Sequence, residues 1–282
     1  MSNILDLENH VAMISGAGQG IGRAIALRFA EYGAKGVVVN DYHLDRAEAA
    51  AEMVRAAGCE ALPVQCDVTD LDAVKDMVKQ GEAAFGQIDI MVNNAGNAGP
   101  SAPDRTGLPF WETEPEDWAK WIDTNLYGVL NCSRATVAGM VERGFGRVVT
   151  IISDAGRVGE PHLVPYSAAK GGAASFTRAL AKATAKKGVT VNNVAIGAVE
   201  TDALAGIMAQ PERFAKMVRV YPIGRIGQPE EIANMVLFLC SSAGEWITGQ
   251  TYEVPLMRAS DRRTMSLTPC CNSFFGIGSM PH

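Results

Sequence analysis

A tyrosine and a lysine four residues apart are the pair in this sequence whose side chains could do acid/base chemistry together. Tyr166 and Lys170 lie one turn apart on a predicted helix, so they share one of its faces. Tyrosine, with an ordinary pKa of about 10, is a poor base at neutral pH, but a nearby cation favours its phenolate. The spacing therefore indicates either a proton-transfer group whose pKa Lys170 lowers or an ordinary exposed helix face.

Two polar residues upstream could meet this pair. Ser153 directly follows the apolar run Val148–Ile152, and residues at the carboxyl ends of parallel strands border the ligand crevice in doubly wound sheets. Asn125 lies inside a predicted helix, where asparagine is mildly unfavourable and usually has a specific reason. For Asn125 two explanations stay open, a role in the site and a simple side-chain bond to the helix backbone.

A glycine-rich turn follows the first apolar run and opens the first predicted helix. In Ser15-Gly16-Ala17-Gly18-Gln19-Gly20-Ile21-Gly22 the glycines let the backbone approach a pyrophosphate, whose charge the helix N-terminus favours. Asp41 ends the second predicted strand, 19 residues after Gly22, near the offset at which an acid bonds the adenosine ribose hydroxyls. Because a carboxylate there would repel a ribose 2′-phosphate, the sequence predicts NAD rather than NADP.

The hydrophobic pattern provides the framework that must position these residues. Short β-branched runs alternate with longer helical patterns, the order typical of a parallel sheet covered by helices. The predicted strands are Val11–Ser15, Gly36–Asp41, Ala61–Asp67, Ile88–Asn93, Gly146–Ile152, Val189–Ile196 and Gln250–Val254. The predicted helices are Ile21–Tyr32, Asp45–Ala57, Leu71–Phe85, Trp118–Arg143, Tyr166–Lys187 and Pro229–Leu239. The pattern predicts one α/β domain over residues 1–254, a single doubly wound parallel sheet of Rossmann type with helices on both faces.

Two irregular stretches interrupt the alternation, residues 97–116 and residues 200–228. Long loops beside the carboxyl ends of a sheet are where substrates are usually met. The second stretch contains an apolar helical piece at 203–208. Its apolar lid candidates suit a hydrophobic substrate, although such residues are more often plain packing; they are Leu204, Ile207, Met208 and Met217.

Composition and charge exclude several other classes of protein. With 282 residues, 48% of them hydrophobic and 20% charged, the chain has an ordinary globular composition. A net charge of −6 gives no broad positive field for nucleic acid, and no apolar stretch approaches the ~20 residues that cross a bilayer. The six cysteines and four histidines show no metal-ligand spacing. We therefore predict a cytoplasmic protein without a metal and without nucleic-acid or membrane partners.

Taken together and in this order, the motifs resemble those of the short-chain dehydrogenase/reductase family. The resemblance covers about residues 8–254: the turn Ser15–Gly22 is similar to the family's T-G-x-x-x-G-x-G, Asp67-Val68 to its adenine-side acid pair, and Asn93–Gly96 to its N-N-A-G. It implies a catalytic tetrad of Asn125, Ser153, Tyr166 and Lys170. It also implies an NAD site made by Gly16, Gln19, Gly20, Ile21, Gly22, Asp41, Asp67, Val68, Asn94, Ala95, Gly96, Tyr166, Lys170 and Thr201.

The same resemblance implies a role for each of five residues. Tyr166 takes the proton of the substrate hydroxyl in the oxidising direction while hydride leaves for the nicotinamide. Ser153 orients the substrate oxygen, and Asn125 holds a water in a proton relay. Lys170 bonds the nicotinamide ribose, and Thr201 bonds the carboxamide.

Three departures from the family pattern stand out. Ser15 replaces the usual threonine and keeps its hydroxyl. Ile196 replaces a proline, which predicts a looser nicotinamide-side loop. After Val254 an Asp or Asn and two glycines are expected, but Pro255-Leu256-Met257 follow. Residues 255–282 lack the family pattern, so we predict an atypical tail, either a natural extension or a changed reading frame.

The leading hypothesis is an NAD(H)-dependent oxidoreductase that interconverts a hydrophobic secondary alcohol, alicyclic or steroid-like, with its ketone. A 3-hydroxyacyl-CoA dehydrogenase or 3-oxoacyl thioester reductase would use the same residues, although Asp41 weighs against an NADPH-dependent biosynthetic version. A dinucleotide-sensing protein without catalysis is a third hypothesis, but such a protein has no need of all four tetrad residues. The family also implies a small-molecule substrate and a homo-oligomer, tetramer or dimer.

Overall fold

The computed structural model of the protein describes residues 3–96 and 108–254. The expected tail, 255–282, lies outside the described residues, and so does 97–107, most of the first irregular stretch. The domain boundary at residue 254 and the nature of the tail therefore stay predictions.

Within the described residues, seven strands form one sheet in which every neighbouring pair is parallel. The strands are β1 (Val11–Ile14), β2 (Gly36–Asp41), β3 (Glu60–Gln65), β4 (Ile90–Asn93), β5 (Gly146–Ser153), β6 (Val189–Ile196) and β7 (Thr251–Val254). All residues of β1, β2 and β4 are buried. Their near-continuous apolar sequence is typical of parallel strands that are covered on both faces.

The strand order, β3-β2-β1-β4-β5-β6-β7, confirms the predicted doubly wound sheet. From β1 the chain steps outward through β2 to β3, returns to place β4 beside β1, and then steps outward in the opposite direction. The order therefore reverses between β1 and β4. In open sheets of this kind, ligands bind outside the carboxyl ends of the strands at such a switch point.

Helices cover both faces of the sheet, as predicted. They are α1 (Gly20–Glu31), α2 (Leu44–Ala56), α3 (Leu71–Phe85), α4 (Pro115–Ile122), α5 (Gly128–Arg143), α6 (Ala155–Val158), α7 (Val164–Thr184), α8 (Ala205–Met208), α9 (Pro211–Val218) and α10 (Pro229–Cys240). The core on one face includes Ile25 of α1 and Val236 of α10, and the core on the other includes Met77 of α3 and Met140 of α5. Within the described residues, no helix combines the length and apolar character needed to span a membrane.

The predicted helix Trp118–Arg143 is wrong in two respects. It begins three residues earlier, at Pro115, because proline suits the first turn of a helix and a capping box closes this end: the Asp117 carboxylate accepts a hydrogen bond from the Glu114 N–H at 3.0 Å. It is also not a regular α-helix, since a π-helical segment, Asp123–Tyr127, separates α4 from α5.

The stretch 200–228 contains more helix than its irregular pattern indicates. The predicted apolar piece is present as a 3-10 turn, Asp202–Leu204, that continues into α8. The following helix α9 was not predicted, because its eight residues are too few to show a clear period. The short helix α6 after β5 was missed for the same reason.

Candidate active site

The glycine-rich turn after β1 is joined to the end of β4 at the switch point. The Ser15 hydroxyl accepts hydrogen bonds from the N–H groups of Asn94 and Ala95, both at 3.1 Å. In return, the Asn94 side chain donates to the carbonyls of Ser15 and Gly16 at 3.0 and 2.9 Å. Serine therefore makes this joint in place of the family's threonine, and the amide of Asn94 bonds the turn itself.

Glycines in this turn are required because the backbone passes too close to its neighbours for a side chain. A Cβ on Gly16 would lie 2.9 Å from Ala95 Cα, and one on Gly22 would overlap the Gly16 carbonyl. Gly16 and Gly20 also have positive φ angles, 62° and 53°, which glycine adopts at little cost. The turn leads into the N-terminus of α1, where Gln19 is the N-cap, so it forms a cradle that fits a pyrophosphate.

Asp41 lies at the end of β2 beside the same turn. Its carboxylate is buried and accepts hydrogen bonds from the N–H groups of Gly18, at 3.2 Å, and His43, at 3.0 Å. A Cβ on Gly18 would lie 2.6 Å from the Asp41 carboxylate and 2.7 Å from Arg46 Cβ. The structure thus places a negative charge next to the glycine turn, with the exposed Arg46 nearby.

The predicted adenine-side pair, Asp67 and Val68, follows β3. The Asp67 carboxylate accepts from both the N–H and the hydroxyl of Thr69, at 2.9 and 2.8 Å, which holds the loop in a tight turn. Val68 is buried, and its carbonyl accepts from the Asn131 side chain at 3.0 Å. This loop is therefore fixed to α5, also at the carboxyl edge of the sheet.

Tyr166, near the start of α7, meets Ser153 at the end of β5, as predicted. The two hydroxyls are hydrogen-bonded, and Ser153 also accepts from the Ala155 N–H at 3.2 Å. Burial raises the pKa of Tyr166, and the bond with Ser153 offsets only part of that rise. The pKa of Tyr166 is therefore raised and not lowered as the spacing of Lys170 predicted, because loss of hydration disfavours the phenolate.

Lys170 is buried beneath the tyrosine. Its ammonium group lies 5.8 Å from the centroid of the Tyr166 ring and donates a hydrogen bond to the Ile151 carbonyl at 2.9 Å. Burial lowers the pKa of Lys170 from 10.5 to about 8, because a charged amine loses its hydration there. The pair is therefore not an ordinary exposed helix face.

Asn125 is fully buried in the π-helical segment. Its side-chain amide donates to the Trp121 carbonyl, four residues earlier, at 2.9 Å, which is the backbone bond foreseen as an alternative explanation. Its other end faces the site, since a Cβ on Gly96 would lie 3.0 Å from Asn125 Oδ1 and 3.1 Å from Lys170 Nζ. The absence of a side chain at Gly96 thus leaves room for both the amide and the ammonium.

The nicotinamide-side loop after β6 reaches back to the glycine turn. A Cβ on Gly20 would lie 3.4 Å from the Thr201 methyl group, so Thr201 stands opposite the cradle. Ile196 pairs with Ser153 on one side and Val254 on the other, so β6 keeps its full length despite the missing proline. The four lid candidates on the following segment are partly buried.

Two contacts of the site lie outside the predicted set. The Trp121 ring packs edge-to-face on the Tyr166 ring, with centroids 5.4 Å apart and planes at 68°. Arg157 of α6 forms a 2.9 Å ion pair with Glu253 of β7. A tryptophan at helical spacing is usually core, and a charged pair separated by 96 residues leaves no local pattern, so the sequence offered no signal for either.

A glycine cradle, a strand-end acid and a tyrosine with a buried lysine converge at the switch point of this sheet. This is the organisation of a dinucleotide-dependent oxidoreductase. The comparisons with known proteins name the family. A family model described as enoyl-(acyl carrier protein) reductase matches residues 16–255. The chain belongs to the short-chain dehydrogenase/reductase family.

Relatives with assigned activities cover nearly the whole chain. The sequence is 39% identical over 249 residues to a 3-oxoacyl-[acyl-carrier-protein] reductase of Synechocystis sp., covering 88% of this chain and 96% of the relative. It is 38% identical over 250 residues to the (2S)-[(R)-hydroxy(phenyl)methyl]succinyl-CoA dehydrogenase subunit BbsD of Thauera aromatica, covering 89% and 96%. A solved 7α-hydroxysteroid dehydrogenase, complexed with NADH and 7-oxo glycochenodeoxycholic acid, superimposes with a TM-score of 0.83 at 35% identity, covering 90% and 96%. The protein is an oxidoreductase of this family.

Proposed function

We propose that the protein is an NAD(H)-linked dehydrogenase that interconverts 3-hydroxyacyl and 3-oxoacyl thioesters. The observation that carries the chemistry is the hydrogen-bonded pair of Tyr166 and Ser153 above the buried Lys170. The substrate class follows from the relatives, one of which reduces 3-oxoacyl thioesters of a carrier protein and another of which is named for a hydroxyacyl-CoA. They favour this alternative over the alicyclic or steroid-like alcohol that the sequence analysis put first.

In this proposal each tetrad residue has one task. A bound nicotinamide would supply the hydride chemistry, as acceptor from or donor to the carbinol carbon of the substrate. Tyr166 as phenolate accepts the substrate hydroxyl proton, and Ser153 donates a hydrogen bond to the substrate oxygen as its charge changes. Lys170 would bond the nicotinamide ribose and, as a cation near the phenol, would counter part of the rise that burial causes in the pKa of Tyr166. Asn125 would hold a water that carries the proton to solvent.

The preference for NAD rests on Asp41. Its buried carboxylate stands beside Gly18 of the cradle, where it would accept hydrogen bonds from the adenosine ribose hydroxyls and repel a 2′-phosphate. Residues that fit the rest of the dinucleotide are the glycine turn, the Asp67-Val68 loop, the Asn94–Gly96 segment and Thr201. The nearby Arg46 side chain is exposed and is the group that would favour a 2′-phosphate.

An alicyclic alcohol is the second candidate substrate. It is favoured by the likeness to the 7α-hydroxysteroid dehydrogenase complex and by the partly buried apolar residues of the lid segment, Leu204, Ile207, Met208 and Met217. Both candidates use the same hydride-transfer residues, so they differ only in what fills the cleft.

The test is the change in nicotinamide absorbance with purified protein, using NAD+ with 3-hydroxyacyl-CoA substrates and with steroid alcohols. We expect faster turnover of the CoA thioesters and almost complete loss of turnover in Tyr166→Phe, with NADH binding retained. Tyr127→Phe removes an exposed hydroxyl and is the matched control. Turnover by Tyr166→Phe at the wild-type rate would refute the catalytic assignment, and faster oxidation of the steroid alcohols would make the second candidate the function.

Asp41→Asn tests the cofactor preference. The Gly18 and His43 N–H groups bond different oxygens of Asp41, so asparagine keeps an acceptor for only one of them. Because it also removes the charge, kcat/KM with NADP+ relative to NAD+ should rise about 10-fold or more, the equivalent of about 1.4 kcal/mol. Asp45→Asn, an exposed acid at the start of α2, removes the same charge away from the cradle. An unchanged ratio in Asp41→Asn, or an equal change in both variants, would remove the argument for NAD.

A homo-oligomer is the expected form of the protein. One observation supports it, a largely apolar groove of about 530 Å³ between α5 and α7, lined by Leu130, Val137, Phe176 and Leu180 among others. Light scattering of the purified protein tests for the dimer or tetramer. The cytoplasmic location stays a prediction.

A further inference from the structure

Trp121 contacts two members of the proposed tetrad through two different parts of the residue. Its indole ring meets the Tyr166 ring edge-to-face, with centroids 5.4 Å apart, a favourable arrangement for an aromatic pair. Its backbone carbonyl accepts the hydrogen bond from the Asn125 side chain at 2.9 Å. One residue of α4 thus touches the proposed base on α7 and the proposed relay residue of the π-helical segment.

The contact with Trp121 restricts the orientation of the Tyr166 ring. The phenol must present its hydroxyl to the substrate, and the Ser153 hydroxyl bonds it at that end. An aromatic χ2 torsion is broad, so packing on the ring decides its orientation. The Trp121 indole supplies part of that packing through its edge-to-face contact.

The contact with Asn125 follows from the change of helix type. Between α4 and α5 the chain forms the π-helical segment Asp123–Tyr127, and short π segments inside helices occur often at functional sites. Within this segment the buried Asn125 amide turns back to the Trp121 carbonyl. The Oδ1 atom of Asn125 therefore lies on the side of Gly96 and Lys170.

We propose that Trp121 is a positioning residue for hydride transfer, whose ring fixes the Tyr166 phenol and whose carbonyl fixes the Asn125 amide. This inference rests on the proposed function, since it takes Tyr166 and Asn125 as members of the catalytic set. It goes beyond that function because Trp121 reaches the reaction through these two residues.

Trp118 provides a matched control on the same helix. It lies three residues before Trp121 and so on the same side of α4, and it too is partly buried. Its ring instead stacks on Phe110, with centroids 5.2 Å apart, and its Nε1 donates to the Thr113 hydroxyl at 2.7 Å. Loss of either tryptophan removes a large ring from α4, but only the loss of Trp121 removes the ring on Tyr166.

The experiment compares Trp121→Leu, Trp121→Phe and Trp118→Leu using the 3-hydroxyacyl-CoA or steroid alcohol that the wild-type protein oxidises fastest. For Trp121→Leu we expect kcat to fall about 10-fold or more, since a small misplacement of a catalytic group can cost up to about 100-fold, with KM for NAD+ unchanged. The midpoint of the kcat–pH profile should also move to lower pH, because water reaching the phenol relieves the burial that raises the Tyr166 pKa. Trp121→Phe, which keeps an aromatic ring, should recover most of kcat and the wild-type midpoint.

Three outcomes separate this inference from its alternatives. Trp118→Leu should lose stability but keep the wild-type pH midpoint; a Trp121→Leu variant that behaves in the same way would overturn the proposal. Equal loss of kcat in Trp121→Phe and Trp121→Leu would overturn it as well. If Trp121→Leu does not fold, Trp121→Met replaces it. Turnover by Tyr166→Phe would instead show that the proposed function has failed, whatever the Trp121 variants do.

Discussion

Replacing Ser15 by alanine should loosen the joint between the glycine turn and β4. The side chain is 2% exposed, and its hydroxyl is the acceptor for two backbone donors, the N–H groups of Asn94 and Ala95, each at 3.1 Å. Alanine leaves both donors without this acceptor in a partly buried place. Each such loss costs roughly 1–3 kcal/mol.

The lower end of that range applies because Asn94 and Ala95 are only partly buried. Two donors at about 1 kcal/mol each lower the free energy of unfolding by about 2 kcal/mol. For a chain of this size, the melting temperature should then fall by roughly 4–8 °C. The same change displaces the turn that would hold the pyrophosphate, so NADH should bind about 10-fold more weakly, the equivalent of about 1.4 kcal/mol.

The assay is urea unfolding followed by circular dichroism, at one protein concentration for all variants because subunit association also contributes to stability. Ser15→Thr keeps the hydroxyl and should stay within about 0.5 kcal/mol of the wild-type protein. Fluorescence titration with NADH gives the binding constants. If the free energy of unfolding of Ser15→Ala lies within about 0.5 kcal/mol of the wild-type value, the Ser15 hydroxyl does not hold the turn to β4. If Ser15→Thr loses as much stability as Ser15→Ala, the loss has a cause other than the missing hydroxyl.

Two further predictions concern the space that Gly96 leaves for Asn125 and Lys170, and the charge of Lys170. Gly96→Ala should lower kcat about 10-fold while the protein stays folded, because the new methyl group would lie 3.0 Å from Asn125 Oδ1 and 3.1 Å from Lys170 Nζ. The control is Gly139→Ala, where only the flexible end of Arg143 lies near the new methyl group. Equal kcat values for the two variants would contradict the prediction. Folding lowers the pKa of Lys170 from 10.5 to about 8. Between these pH values the unfolded chain therefore binds more protons than the folded protein does. The free energy of unfolding of the wild-type protein, relative to that of Lys170→Met, should then rise as the pH increases from about 8 to 10.5. Urea unfolding across this range checks it, with the exposed Lys182→Met as control. A flat difference would show that folding does not lower the pKa of Lys170.

The parts of the site that the sequence predicted are those that follow from the topology of a parallel sheet. A glycine turn after β1 and an Asn-Asn-Ala-Gly segment after β4 come together wherever the strand order reverses, and the structure joins them through Ser15 and Asn94. Asp41 and Ser153 are placed by the same rule, as residues at the carboxyl ends of β2 and β5.

What the sequence missed depends on burial and on long-range contacts. The spacing of Tyr166 and Lys170 indicates a shared face but not how much water reaches it, and burial raises the pKa of the phenol despite the lysine. Arg157 and Glu253 pair across 96 residues, a contact that only the path of the sheet creates. Trp121, whose ring packs on Tyr166, has the pattern of an ordinary core residue.

The π-helical segment explains how one stretch of chain serves both the sheet and the site. Residues of α5 such as Cys132 and Met140 pack into the core beneath the sheet, whereas Trp121 of α4 must face Tyr166 on α7. In a regular helix each residue advances by about 100° around the axis. If α4 and α5 formed one regular helix, the packing of α5 on the sheet would therefore also fix the direction in which the side chains of α4 point. The wider turns at Asp123–Tyr127 change this register. The break in helix type thus lets Trp121 and Asn125 face the tyrosine and the lysine while α5 keeps its packing.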